Sequence, residues 1–337
     1  MFRHSLLSLA VFALVAPDAA AQTTIRVATV APVNSSYHKA MLDMGAEWEA
    51  KTSGRVKLTV YAGGTQGSEE ATLRMMRPGV DQLQGGLLML PGLSSIDDGF
   101  GVFGIPFLFA SDAEAKHVLE RMGPMMEKRM EARGFKVLAW GSAGWVQLFS
   151  KNPLNTLADI KTAKIFTTQG DDRMVQWYKQ NGFRPVPLNS GDIPAQLKLP
   201  NGMIDAAPMP PYAASLLQVH RDAKYMLDVD FAPLFGALVM TNSAWNKLSA
   251  EDKAAVAAAA KSAEKRLLGE AVQLDTNSIN AMKTRGLTVN TPDAKALATF
   301  RAEADRLVAT IRGTLVPADI YDAIVRERDA FRKTKKP

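Results

Sequence analysis

The sequence predicts an α/β chain of two lobes, and three observations carry that prediction. Strand-like and helix-like segments alternate from the start of the mature chain, the order that builds a parallel sheet covered by helices. The 337 residues are about twice a typical domain, and a hydrophobic fraction of 47% suffices for two cores. A helical pattern of about 35 residues near the end would be about 50 Å long, more than the width of one small domain.

The chain begins with a leader. Arg3 and His4 form a basic start, Leu6 to Val15 an apolar stretch, and Pro17 precedes Ala19-Ala20-Ala21, so cleavage is expected before Gln22. The apolar stretch is about half of the roughly 20 residues that a bilayer-spanning helix needs. With no cysteine in the chain, a lipid anchor beside the cleavage site and a disulfide frame are both excluded. Arg3 and Asp18 leave together, so the net charge stays at +6, scattered apart from the basic tail Arg332 to Lys336. An exported chain without a basic-aromatic stripe is not a nucleic-acid binder.

The elements follow in order. Thr24 to Val30 alternates as a strand, and Ser35 or Ser36 is placed to cap a helix from Tyr37 to Lys51. Arg55 to Tyr61 is a second strand, Glu69 to Met76 a helix, and Gln84 to Pro91 a buried strand feeding a loop. Gly99 to Gly104 matches G-x-G-x-x-G formally, but it follows polar residues and meets Pro106, so a dinucleotide loop is excluded. Ser111 to Arg133 is helical. Gly134 to Thr168 reads as a strand, a Gly-broken turn, a second strand, a Pro-marked loop, a short helix and a third strand. Asp171 to Asn181 is a helix, and Phe235 to Thr241 an apolar strand suited to crossing between lobes. From Ser249, apolar residues recur at three- and four-residue steps as far as Gly286, giving one spanning helix or two with a bend near Gly269. Two more helices, 292–312 and 317–333, complete the chain.

Catalytic chemistry is not legible. His38, His117 and His220 stand alone, without metal-ligand spacing, and read as surface or packed histidines. Gly141-Ser142-Ala-Gly144 lacks a spacer residue of a nucleophile elbow. Asp97-Asp98 and Asp171-Asp172 read as turn and capping residues. The expectation is no catalytic residue, no metal, no cofactor and no enzyme.

Three stretches resemble one family. The order of elements in 134–168, the run Leu93 to Phe109 with its Pro106-Phe107-Leu108-Phe109, and Asn201-Gly-Met-Ile-Asp205 resemble the solute-binding proteins of TRAP-type (tripartite, ATP-independent) transporters. The resemblance covers nearly all of 24–330. It implies a two-lobed periplasmic-binding-protein fold with crossing strands and one long inter-lobe helix. Lobe I would take 22–146 plus about 233–265, lobe II 147–232 plus about 266–320, and 321–337 a C-terminal helix and tail. It also implies a periplasmic monomer that closes on a small solute and delivers it to a membrane permease.

Three positions depart from the family. Where its third strand usually reads Lys-Ile-Arg, with the arginine clamping a ligand carboxylate, this chain has Lys164-Ile165-Phe166. Gly144-Trp145 stands where Gly-Phe-Arg is common, and Ala206-Ala-Pro-Met-Pro210 where many members read Gly-Gln-Glu-Asn-Pro. Burying a carboxylate without a cation costs several kcal/mol. The expected ligand is therefore neutral, aromatic or otherwise hydrophobic. Its expected contacts are Tyr37, Leu90, Trp145, Phe166, Met209, Tyr212 and Phe235. Lys161, Lys164 or Arg173 could supply a displaced cation and restore an organic acid. A binding subunit of an export or lipid-handling system is the other alternative, and an exported enzyme the least favoured.

Overall fold

The computed structural model describes residues 22–170 and 172–335. The leader, Asp171 and the last two residues lie outside the described residues.

Among the described residues nine strands form one sheet: β1 (Thr23–Thr29), β2 (Val56–Tyr61), β3 (Gly85–Met89), β4 (Phe135–Ser150), β5 (Lys164–Thr168), β6 (Arg184–Leu188), β7 (Ala206–Met209), β8 (Tyr225–Thr241) and β9 (Thr288–Asn290). Their order is β2-β1-β3-β8-β4-β7-β5-β6, with β9 on β8. Helices α1 (Ser36–Lys51), α2 (Glu69–Met75), α3 (Leu90–Ile96) and α4 (Asp112–Ala132) accompany the first three strands. The second half holds α5 (Leu157–Thr162), α6 (Asp172–Gln180), α7 (Ile193–Lys198) and α8 (Pro211–Leu216). The chain closes with α9 (Asn242–Lys247), α10 (Ala250–Gly269), α11 (Ala271–Lys283), α12 (Ala294–Ile311) and α13 (Ala318–Thr334).

Two long antiparallel strands, β4 and β8, run through both lobes. At one end Phe135 pairs with Thr241, and at the other Ser150 pairs with Tyr225. The first lobe builds β1, β2 and β3 onto one edge as parallel neighbours; the second builds β7, β5 and β6 onto the other. Register shows where these strands point. Met89 at the end of β3 meets Gly236, and Met209 at the end of β7 meets Gln147, both near the middle of the crossing strands. The carboxyl ends of both parallel sets therefore face one another across the junction, the place where open α/β sheets bind ligands.

Each lobe has its own core. Phe100, Phe103, Met126 and Phe235 pack in the first, joined by Leu307, Ile311 and Ile320 from the last two helices. Phe149, Leu188, Ile193 and Met226 pack in the second. Side-chain caps start the helices as expected: Ser35 accepts from His38 N, and Ser249 from Asp252 N.

Two expectations are corrected. The strand–turn–strand read from 134–150 is one continuous strand, β4, because Gly144 adopts φ +104° and absorbs the irregularity as a bulge. The single spanning helix is two, α10 and α11, interrupted at Glu270 directly after Gly269. The bend near Gly269 is thus the form the chain adopts, and together the two helices cover both lobes.

Candidate ligand-binding cleft

The walls of the cleft are the loops that leave the parallel strands. After β1 the chain enters α1 through Ser35, Ser36 and Tyr37; after β7 it enters α8 through Pro210, Pro211 and Tyr212. These two corners touch. Ser36 N donates to the Tyr212 hydroxyl at 3.0 Å, and the rings of Tyr37 and Tyr212 meet edge-on with centroids 5.9 Å apart. Ser36 Oγ also donates to Glu270, at the break between α10 and α11. On the opposite rim, a Cβ on Gly170, after β5, would come within 2.5 Å of Glu70 Oε2. Arg173 at the start of α6 reaches Asp98 of the first lobe at 2.8 Å. The lobes are in contact on both sides of the cleft.

Its floor is the bulged middle of β4. Gly144 leaves room where a Cβ would stand 2.0 Å from Asp275 Oδ2, so the Asp275 carboxylate lies directly on the strand. From there it accepts from Trp145 N at 3.2 Å and Tyr212 N at 2.9 Å, joining the crossing strand, the second lobe and α11. Burial pushes the Asp275 carboxyl up to about 7, against those two backbone bonds, with Asp230 adding to the rise. Burial, and then the charges of Asp275 and its neighbours, pushes the Tyr37 phenol well above its ordinary value. Gln147 is buried two residues after Trp145, and its Nε2 donates to Asp230 Oδ1 at 2.9 Å. In the first lobe, Glu69 accepts from Met89 N at 2.6 Å and Gly92 N at 2.8 Å, holding the β3–α3 corner; burial pushes it up to about 7.

The seven residues expected from sequence fall into three groups. Tyr37 and Tyr212 meet across the cleft. Leu90, Trp145 and Phe235 pack with the first lobe's core, where Phe235 meets Phe103 edge-on at 5.7 Å. Phe166 and Met209 pack together with Phe149 and Leu188 in the second. Phe166 is 7% exposed, so its ring is part of the core while leaving that strand without a charge toward the cleft.

The three alternative cations are engaged elsewhere. Lys161 pairs with Glu303 at 2.6 Å, and Lys164 Nζ donates to Gly202 O at 2.8 Å, both by the amino end of β5, away from the cleft. Arg173 stands at the rim but is held by Asp98 and the Thr314 carbonyl. Conversely, Glu69, Asp230 and Asp275 have no ion-pair partner among the described residues. At the inter-lobe corner the Asp275 carboxylate meets Tyr212, whose ring packs on Tyr37.

Sequence reasoning missed Gln147, Asp230, Glu69 and Asp275. Gln147 carried a signal, as the one polar residue within Trp145-Val-Gln-Leu-Phe149. Asp275 lay hidden beside an apolar helical stripe. Among the described residues, no group of three or more His, Cys, Asp or Glu side chains is placed to hold a metal ion, and no helix is long and apolar enough to cross a membrane.

The profile described as bacterial extracellular solute-binding protein, family 7 (DctP) matches residues 27–313. The chain belongs to that family. The family is periplasmic, and its members bind solutes rather than transform them. The 2,3-diketo-L-gulonate-binding periplasmic protein YiaO of Escherichia coli K12 is 27% identical over 271 residues, 77% of this chain and 79% of that protein. Solved TRAP periplasmic solute-binding proteins share the two-lobed fold. One from Xanthobacter autotrophicus Py2 with bound β-D-galacturonate has a TM-score of 0.81 at 23% identity, covering 90% of this chain and 99% of its own. One from Haemophilus influenzae with bound L-gulonate has a TM-score of 0.83 at 21% identity, covering 92% and 99%. Bordetella pertussis DctP7, a pyroglutamic acid receptor, has a TM-score of 0.82 at 19% identity, covering 91% and 99%.

Proposed function

We propose that this family member is the periplasmic receptor of a TRAP-type transporter for an uncharged, largely apolar solute, and that it acts as a monomer after cleavage before Gln22. The lobes close on the solute, and the closed form docks on the membrane permease. One observation carries the ligand class. Where the family resemblance puts an arginine, β5 holds the buried ring of Phe166, and Asp275 and Asp230, beside the bulged middle of β4, have no ion-pair partner among the described residues. An organic acid entering here would be desolvated against carboxylates, with nothing to compensate it. Bidentate pairing with a guanidinium is what ordinarily offsets that cost.

The second reading is an organic acid held by Arg173, favoured by the sugar acids bound to the structural relatives and by the place of Arg173 at the rim. It requires Arg173 to leave Asp98. A thermal-shift screen of residues 22–337 separates the readings, using one panel of small organic acids and one of neutral aromatics and lipids. Linkage gives about 2.7 kcal/mol of stabilisation at a hundredfold excess over Kd. The proposal expects shifts from the neutral panel alone. A clear shift with a carboxylate, lost in Arg173→Ala, would establish the second reading.

A further inference from the structure

Gln147 interrupts an apolar strand at the level of the cleft. It is 6% exposed, and it stands opposite a bulge of β8: Val146 pairs with Ala232 and Leu148 with Leu227, so Asp228 to Phe231 face Gln147 alone. Asp230 lies in that bulge and accepts from Gln147 Nε2 at 2.9 Å. A carboxylate only accepts, so this bond sets the orientation of the amide and leaves Oε1 as the free end. That oxygen is buried and has no hydrogen-bond partner. The two ends of a carboxamide share one carbon, so Oε1 lies beside the same carboxylate. The Tyr37 hydroxyl, in the corner facing Tyr212, is likewise buried without a partner.

Buried polar atoms are ordinarily satisfied, so an unpaired acceptor beside the cleft calls for a donor, and a ligand group can supply it. The surroundings decide which group. Met209 of β7 pairs directly with Gln147, and Trp145 is two residues before it, so apolar side chains flank the Gln147–Asp230 pair. Oε1 and the Asp230 carboxylate are both acceptors.

We infer that the Gln147–Asp230 pair is a specificity determinant that selects solutes carrying a hydrogen-bond donor, an alcohol or an amine, on an apolar body. This rests on the apolar-solute reading, adds its polar end, and widens the solute class from uncharged molecules to a protonated amine on an apolar body. A carboxylate has no proton to give and would place its lone pairs against those of Oε1 and Asp230. A hydrocarbon would leave Oε1 unanswered. An alcohol answers Oε1, and an amine answers Oε1 and Asp230 together.

Four probes of one shape test this: 2-phenylethanol, 2-phenylethylamine, phenylacetate and ethylbenzene, titrated into residues 22–337 by tryptophan fluorescence. The alcohol and the amine are expected to bind about tenfold or more tighter than ethylbenzene, and phenylacetate not to bind. Gln147→Leu should remove that preference. Gln147→Glu, which keeps the shape, should raise the amine-to-alcohol affinity ratio about tenfold and so covers the case in which the leucine variant fails to fold. Ethylbenzene binding as tightly as the alcohol would overturn the inference and leave the apolar receptor standing. Binding confined to phenylacetate, or silence from all four, would overturn both.

Discussion

Asp97 in the first lobe and Asp275 at the cleft are both buried carboxylates that organise backbone, yet their partners differ. Asp97 accepts from Gly99 N at 2.8 Å, from Arg129 at 3.0 Å, and pairs with Arg133 at 2.8 Å. Asp275 accepts only from the backbone N–H groups of Trp145 and Tyr212. The arginines beside Asp97 serve architecture in the first lobe, and among the described residues none pairs with Asp275. A site whose own carboxylates lack cations has no surplus positive charge for a ligand's carboxylate. The same desolvation that raises Asp275 to about 7 would act on any acid bound beside it.

The comparison can be broken at several points, the most damaging at Gly144. A methyl group there would meet Asp275 Oδ2 at 2.0 Å on a backbone at φ +104°. Gly144→Ala should cost about 4 kcal/mol in urea melts, and Asp275→Ala in the same chain should recover part of it. Replacing the other carboxylate comes next. Asp97→Ala leaves two guanidinium groups without their partner, a loss of about 3 kcal/mol, at the lower end because both arginines can turn to solvent.

The pH dependence of stability tests Asp275 as well. The Asp275 carboxyl stands at about 7 when folded, above its unfolded value, so the folded state holds a proton that the unfolded chain has lost. Stability should therefore fall as pH rises from about 4 to about 7 and level off beyond, with a slope of up to about 1.4 kcal/mol per pH unit from this group. Glu69, raised to about 7 by burial, adds a similar slope. Chemical denaturation at pH 5, 6, 7 and 8 should show Asp275→Asn removing one such contribution. An unchanged slope would mean that Asp275 is not the buried acid described. The groups acting on it are the Tyr212 and Trp145 backbone N–H groups and the Asp230 charge, with the Tyr37 phenol nearby, so Asp230→Asn should lower the midpoint.

The smallest effect belongs to the inter-lobe corner. Tyr212→Phe removes the acceptor of Ser36 N, worth about 1 kcal/mol, and should shift the lobes toward an open form of larger radius of gyration in small-angle scattering.

Much of the fold was legible because strand alternation and helix caps are local signals. Ser35, Ser111 and Ser249 cap the helices they precede. Gly144 misled, since a positive φ serves a bulge as well as a turn, and only the pairing of Phe135 to Ser150 with β8 decides between them. The length of the spanning helix misled too, because apolar periodicity runs unbroken through Glu270. Of the corner where Tyr37 meets Tyr212, the sequence marked Tyr37 as a strand-to-helix loop residue, while Tyr212 came only from the family resemblance. Asp275 was not: its role depends on a space left by a glycine 131 positions earlier in the chain. Nor did spacing reveal that Lys164 and Arg173 are occupied by Gly202 O and Asp98, contacts made only on folding.

The central claim is that this cleft rejects carboxylates, and titration calorimetry with D-galacturonate and L-gulonate tests it most directly. No saturable heat is expected with residues 22–337 up to millimolar sugar acid. Saturable binding of either acid at micromolar concentration would contradict it, and would require a cation in the cleft that Phe166 does not provide.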